Sequence, residues 1–217
     1  MIRDVWVLAM PLDYLISALV TLIVVVDPVG LVPTFLAVTQ GLPQQARRRI
    51  ALRAAIIAAA ILAGTALVGD WLLHQLGITL PAFRIAGGLL LFAVASEMVF
   101  GVRIERQSKQ AEDALEEHVR NVAAFPLAIP LMAGPGAITA TLLLAGQARG
   151  DPIALAVLIA VVMLVCALCL GVFLLANRVD RLIGITGNVV LSRLLGVLLA
   201  ALAVQYVIDG VRAVLPA

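Results

Sequence analysis

The stretch LIVVVDPVGLVPTFLAV, residues 22–38, places one carboxylate, two prolines and a glycine inside a long apolar run. Proline removes a backbone hydrogen-bond donor and clashes with the preceding helical turn, so residues 27–33 are expected to interrupt a helix. Another apolar run contains Gly-Pro-Gly at residues 134–136, which predicts a second interruption. Unwound backbone at membrane depth must be buried in protein or line a cavity. These two stretches therefore predict a pair of discontinuous membrane helices.

The composition of the chain excludes an ordinary soluble domain. Of its 217 residues, 63% are hydrophobic and 13% are charged, whereas soluble domains contain about 45–50% apolar and about 25% charged residues. Six apolar runs are long enough to cross a bilayer as helices, near residues 14–38, 51–76, 82–101, 122–148, 152–176 and 184–208. None alternates strictly, which excludes barrel strands. The sequence predicts an all-α polytopic membrane protein with six transmembrane helices, of which helices 1 and 4 are discontinuous.

The positions of the basic residues predict the orientation of the chain. The net charge of +2 gives no reason to expect a nucleic-acid partner. Eleven Lys and Arg residues fall on one side of the predicted helices: Arg47, Arg48, Arg49, Arg53, Arg103, Arg106, Lys109, Arg120, Arg178, Arg181 and Arg193. Only Arg3, Arg84, Arg149 and Arg212 fall on the other. Because basic residues accumulate in cytoplasmic loops, both termini are expected outside, on the periplasmic side.

Short matches between the two halves of the chain indicate an internal repeat. LGIT at residues 76–79 recurs as IGIT at 183–186, and RIAG at 84–87 is matched by RLLG at 193–196. Each half holds three predicted helices, and an odd number makes the second half enter the membrane from the opposite side, as in many secondary transporters. Chance similarity between Leu-rich helices is the alternative explanation.

The repeat divides the chain into three parts. Residues 1–101 form the first three-helix repeat and residues 121–217 the second, inverted one. Residues 102–120 between them are the longest polar stretch and mix acidic with basic side chains. This stretch is predicted to be a charged cytoplasmic linker, either solvated or folded as a short surface helix, and no chemistry is assigned to it.

The two interruptions predict a binding site for a small solute. Asp27 before Pro28 is typical of a helix start, and Gly134 before Pro135 is a weaker one. Each half-helix start carries a partial positive charge that suits a carboxylate. The predicted substrate-binding residues are Asp27, Pro28, Gly30, Pro33, Thr34, Gly134, Pro135, Gly136 and Thr139. Kinks that serve packing alone are the alternative, since proline and glycine are common in membrane helices.

Two carboxylates lie far from the charged loops. An ionised carboxylate at the bilayer centre costs about 2.5–3.5 kcal/mol on insertion scales, which a function or a partner normally offsets. Asp27 and Glu97 are therefore candidates for proton coupling or for binding a substrate ammonium group. The alternatives are that Asp27 only caps a helix and that Glu97 reaches the membrane interface.

Metal, cofactor and enzymatic chemistry are not indicated. Cys166 and Cys169 lie within an apolar run and are interpreted as small hydrophobic residues. His74 and His118, the only histidines, have no ligand-like spacing. Apart from His74 at the end of the second run, the predicted membrane segments contain no histidine. They also contain no close carboxylate pair and no serine with an evident base, so neither acid–base nor nucleophilic catalysis is expected.

The chain resembles a known family. VDPVGLVPTF at residues 26–35 is similar to the [DN]-P-x-G-x-x-P-x-F signature of the MarC family, and PLAIPLMAGPGAI at residues 126–138 is similar to its P-L-A-I-P-L-x-A-G-P-G-A-I signature. The resemblance covers almost the whole chain. It implies a bacterial or archaeal inner-membrane protein with six helices. Some members export or exchange small neutral amino acids such as glycine and alanine, whereas others lack an assigned substrate.

Together these features predict an inner-membrane secondary transporter of small neutral amino acids. Alternating access would move one repeat against the other around the paired helix breaks. The expected partners are a small neutral amino acid, the lipid bilayer, a coupling proton or cation, and further copies of the chain in a homo-oligomer; no cofactor is expected. A passive channel or facilitator, and a membrane protein without transport activity, are the competing hypotheses.

Overall fold

The computed structural model describes the backbone of residues 2–116 and 122–215. Side chains are described from Leu12 onward, except those of residues 111–116 and Ile185. Nine helical segments make up the regular structure of these residues: α1 Ile2–Val26, α2 Val32–Val38, α3 Gln44–Gln75, α4 Leu80–Phe100, α5 Val102–Glu116, α6 Ala123–Met132, α7 Pro135–Gln147, α8 Pro152–Leu174 and α9 Ala176–Val214. Segment α6 is π-helical, and its backbone is non-helical at Phe125 and Ile129, each of which precedes a proline. His118 and Arg120 lie outside the described residues. The predicted all-α class is confirmed.

Within residues 2–116 and 122–215, four helices are long and apolar enough to cross a membrane. They are α3, α4, α8 and the part of α9 from Thr186 to Val214. A fifth span results if α6 and α7, which are bent by 55° relative to each other, count as one. The apolar part of α1, Leu12–Val26, is shorter than a full span. The structure thus agrees with a polytopic membrane protein, and a sixth span stays a prediction.

Proline and capping side chains fix where the long helices begin. α4, α7 and α8 each have proline in the first helical positions, where its missing N–H removes no hydrogen bond. The side chain of Thr79 accepts a hydrogen bond from the amide of Ala82 before α4. Asp151 accepts two, from Ile153 at 2.8 Å and Ala154 at 3.2 Å, before α8. These local signals explain why the apolar runs start as helices where the sequence predicts.

Small residues allow α4 and α9 to pack closely. A methyl group on Gly88 would lie 2.7 Å from the carbonyl oxygen of Ala203. One on Gly196 would lie 2.8 Å from Cβ of Met98. The first half of α4 thus contacts the last part of α9, and the end of α4 contacts an earlier part of α9. The two helices therefore run antiparallel. Close backbone approach at small residues is typical of membrane helix pairs.

The first of the two sequence matches has a glycine with positive φ in each copy. Gly77, between α3 and α4, has a φ of 68°, and Gly184, within α9, has a φ of 64°. Each glycine interrupts the helical backbone two residues before a threonine. An inverted relation of the two halves is compatible with these matches and stays a prediction.

The charged stretch after α4 is helical rather than extended. Of the two alternatives for this stretch, the helix is observed over Val102–Glu116. However, α5 is not a fully solvated surface helix, because Arg103 and Gln107 are each only 6% exposed. α5 packs against α2, α4 and α6. This buried face brings polar side chains of α5 to the second interruption of the apolar runs.

Candidate binding cavity at the second helix break

The second interruption lies between α6 and α7. Ala133 and Gly134 separate the two helices, and Gly134 occupies the N-cap of α7 without a side-chain cap. The first helical hydrogen bond of α7 runs from the amide of Ile138 to the carbonyl of Gly134, 3.0 Å long. The amides of Gly136 and Ala137 belong to the first turn, where no preceding helical carbonyl accepts them. The start of α7 thus presents two free donors, as the sequence predicts.

Two glycines at this point are required by space. A methyl group on Gly134 would collide with the carbonyl oxygen of Pro130. A methyl group on Gly136 would lie 3.2 Å from a methyl carbon of Val94 and 3.3 Å from one of Val25. The absence of a side chain at Gly136 therefore brings the start of α7 against both α4 and the end of α1.

A cavity of about 350 Å³ opens at this start. Its size falls within the range of ligand pockets, about 300–1,000 Å³. Helices α1, α4, α5, α6 and α7 all contribute to its wall. Its polar lining consists of Glu97, Arg103, Arg106, Gln107 and Gln110, and its apolar lining includes Val25, Leu90, Ala93, Val94, Pro130 and Leu131. The remaining lining residues are Gly134, Pro135, Gly136 and Ala137.

The cavity contains charges of both signs. Arg106 Nη1 lies 2.8 Å from Glu97 Oε1, and the second oxygen of Glu97, Oε2, is a buried atom with no hydrogen-bond partner among the described residues. Arg103 Nη2 donates to the carbonyl of Val25 at 2.9 Å, while its Nη1 is buried and also lacks a partner in the described part of the chain. Burial lowers the pKa of Arg103, and the negative charge of Asp27 opposes that shift. Arginine nonetheless stays charged in proteins, so the cavity holds a lasting cation.

The local structure of the first interruption, around Asp27, differs from the prediction. Asp27 has a φ of 53°, and its Oδ1 accepts a hydrogen bond from the amide of Gly30 at 3.0 Å. The prediction that Asp27 caps a helix beginning at Pro28 is therefore wrong: residues 28–31 form a turn, and α2 begins at Val32. The physical reason is that an Asp side chain tolerates the left-handed conformation and bonds to a nearby amide, which closes a turn.

The carboxylate of Asp27 also ties the two halves of the chain together. It is only 3% exposed, and its Oδ2 accepts a hydrogen bond from Oγ of Ser192 in α9 at 3.1 Å. A methyl group on Gly30 would collide with this carboxylate. The buried charge is thus held by an amide and a hydroxyl, with the Arg103 guanidinium nearby.

The cavity includes some of the predicted site residues and not others. Gly134, Pro135, Gly136 and Glu97 line it. The other candidates do not belong to its lining, although all but Pro33 are buried: Asp27, Pro28, Gly30, Pro33, Thr34 and Thr139. Val25, at the end of α1 and two residues before Asp27, does line the cavity. The binding roles of these residues stay predictions.

Sequence reasoning missed the polar residues of α5. Arg103, Gln107 and Gln110 follow a spacing of four and three, which places them on one helical face, and all three line the cavity. The net composition of the segment concealed this face, since charged residues surround it in the sequence. A periodicity test within the charged stretch would have found it.

Comparison with known proteins places the chain among integral membrane proteins. A sequence model described as MarC family integral membrane protein matches residues 12–215. A UPF0056 membrane protein of Methanocaldococcus jannaschii is 36% identical over 209 residues, which is 95% of this chain and 100% of the relative. One from Aquifex aeolicus is 35% identical, covering 91% of this chain and 92% of the relative. One from Escherichia coli is 33% identical, covering 90% of each. No solved structure matches this chain.

Proposed function

Since the chain belongs to the MarC family of integral membrane proteins, we propose that it is a secondary transporter of small neutral amino acids such as glycine and alanine. It works as an exporter or exchanger in a bacterial or archaeal plasma membrane. The observation that carries this proposal is the cavity at the start of α7, which combines free backbone amides with an arginine and a glutamate. A small solute that can pair with both a positive and a negative group of one cavity is a zwitterion.

The size of the substrate follows from the wall of the cavity. Gly136 lies between Val25 and Val94, at distances that leave no room for an added methyl group without displacement. A solute that binds the amides of this first turn therefore meets close-packed valine side chains on one side, while the whole cavity measures about 350 Å³. We propose that this close packing beside the amides favours small side chains, as in glycine and alanine.

The proposed mechanism is alternating access around the two helix breaks. In many secondary transporters, inverted repeats carry interrupted helices whose ends meet at the binding site. The interruption at Asp27 and the one at Gly134 stand at corresponding places in the two halves, and Val25, two residues before Asp27, lines the cavity. The glycines with positive φ, Gly77 and Gly184, further support a repeat.

We propose proton coupling through one of two carboxylates, the buried Asp27 or the partly exposed Glu97. Asp27 is held by neutral donors, Gly30 and Ser192, at about 3 Å. Glu97 lines the cavity, and its Oε2 has no partner among the residues that the structure describes. A carboxylate with a free oxygen beside a bound ammonium group can exchange a proton as the cavity opens and closes. Glu97 is therefore the more direct coupling site of the two.

The proposal is tested by counterflow in proteoliposomes. Purified protein is reconstituted with labelled alanine inside, and unlabelled alanine is added outside. We expect external alanine to accelerate the loss of internal label, because a carrier returns faster when loaded. A rate of loss that does not depend on external alanine would support a passive channel, and no loss above that of empty liposomes would contradict transport of alanine.

A further inference from the structure

Helix α5 supplies a buried cation whose bonds are only partly used. Arg103 is 6% exposed, and its Nη2 donates to the carbonyl of Val25 at 2.9 Å and approaches that of Val26 at 3.4 Å. Its other terminal nitrogen, Nη1, is buried and has no partner among the described residues. Buried polar groups in proteins are almost always hydrogen-bonded, so this free donor indicates a missing acceptor.

A matching free acceptor lines the same cavity. Glu97 uses Oε1 to pair with Arg106 at 2.8 Å, while its Oε2 is buried and unpartnered in the part of the chain that the structure describes. The free amides of Gly136 and Ala137 at the start of α7 lie in the wall as well. The cavity therefore offers a cationic region of guanidinium and helix start, and a separate anionic oxygen.

We infer that Arg103 and the first turn of α7 bind the carboxylate of the substrate, and that Glu97 Oε2 binds its ammonium group. This inference rests on the proposed function and names the residues that carry it out. Because Arg106 and Glu97 neutralise each other, Arg103 leaves the cavity with one net positive charge. A ligand that lacks a carboxylate is therefore expected to bind poorly. Helix α5 is thus part of the binding site and not only a linker.

The same guanidinium connects the cavity to the first helix break. Arg103 satisfies the carbonyls of Val25 and Val26, at the very end of α1, and it lies close enough to Asp27 for their charges to interact. A carboxylate that binds Nη1 would shift the Arg103 guanidinium, which is hydrogen-bonded to the end of α1. Ligand binding in the cavity would thereby change the position of the end of α1 and of the Asp27 turn that follows it.

The first test compares ligands on the unaltered protein. The full chain is purified in detergent, and the affinity for alanine, alaninamide and propionate is measured by calorimetry. Alaninamide lacks the carboxylate and propionate lacks the ammonium group. Hydrogen bonds to charged groups predict that each analogue binds about 10- to 100-fold more weakly than alanine. Equal affinity for alanine and alaninamide would overturn the role of the cationic region.

The second test assigns the effects to residues. Arg103→Gln is expected to lower the affinity for alanine about 10- to 100-fold and to remove the preference for alanine over alaninamide. Glu97→Gln is expected to remove the preference for alanine over propionate. Lys109→Gln is the matched control, because Lys109 is exposed on the same helix and does not line the cavity; its affinities should equal those of the wild type.

The outcomes separate this inference from the proposed function. If the wild type binds alanine and Arg103→Gln keeps both its affinity and its selectivity, the assignment of Arg103 is wrong while amino-acid transport stands. If the wild type binds neither glycine nor alanine and shows no counterflow, both proposals are wrong. If Arg103→Gln does not fold, the ligand comparison on the wild type still decides whether the cavity requires a carboxylate.

Discussion

Asp27 combines a structural and a proposed coupling role, and two substitutions separate them. Asparagine keeps an oxygen that accepts from the Gly30 amide, whereas alanine leaves that amide and the Ser192 hydroxyl without their acceptor. We expect Asp27→Ala to lower the free energy of unfolding by about 1–3 kcal/mol and Asp27→Asn to lower it less. Thermal unfolding in detergent measures both. If Asp27→Asn also keeps full counterflow with an unchanged pH dependence, Asp27 has no part in coupling.

Gly136 is the residue at which added volume should affect binding most directly. Gly136→Ala places a methyl group 3.2–3.3 Å from Val94 and Val25 in the cavity wall, so we expect weaker alanine binding and slower counterflow. The matched control is Gly171→Ala in α8, where a methyl group meets nothing within 4 Å. The control should transport normally and gain about 0.5–1 kcal/mol of stability as a helix-interior alanine. Equal transport by the two variants would place the substrate elsewhere.

At the scale of single elements, the sequence predicted one helix start and missed another. Gly134 and Pro135 begin α7 as expected, because proline at the first helical position leaves few alternatives. Pro28 does not begin a helix, because the Asp27 carboxylate accepts a hydrogen bond from the Gly30 amide and closes a turn before α2 begins. The buried face of α5 was missed because the charged composition of the segment concealed the spacing of Arg103, Gln107 and Gln110. The partners of that face, such as the carbonyl of Val25, lie 78 residues away and cannot be identified from local sequence.

Two glycines with positive φ, Gly77 before α4 and Gly184 within α9, allow a test of local equivalence. Gly77 and Gly184 have φ values of 68° and 64°, and a methyl group on either meets nothing within 4 Å. The cost of alanine there is therefore purely conformational. We expect Gly77→Ala to destabilise the protein by about 1–2 kcal/mol. Gly184 has a φ of 64° and a ψ of 176°, a conformation essentially restricted to glycine, so we expect Gly184→Ala to destabilise it by about 1–3 kcal/mol. Thermal unfolding measures both. A loss at one site only would show that the two junctions are not equivalent.

For the whole molecule, composition predicted more than pattern did. The high share of apolar residues and the length of the apolar runs were sufficient for an all-helical membrane protein, because lipid permits few other backbone structures. The number of spans depends on how the bent pair α6–α7 and the short apolar part of α1 cross the bilayer. The path of these two segments depends on tertiary packing around a cavity. That packing cannot be predicted from the apolar periodicity of each run.

The orientation of the whole chain rests on the distribution of basic residues, and α3 offers a direct measurement. This helix begins at Gln44 and ends at Gln75, with Gln45 and Gln75 both exposed. In a variant with Cys166 and Cys169, both buried, replaced by alanine, we introduce Gln45→Cys or Gln75→Cys. Because four arginines follow Gln45 within eight residues, the positive-inside rule places that end in the cytoplasm.

An impermeant thiol reagent added to intact cells should therefore label Gln75→Cys and leave Gln45→Cys unlabelled until the membrane is opened. The cysteine-free parent gives the background. The reverse pattern would invert the orientation, and the basic loops would then face outward against the usual bias. Labelling of both cysteines from outside would mean that α3 does not cross the bilayer. In that case the cavity could not be assigned an inner and an outer side from the ends of this helix.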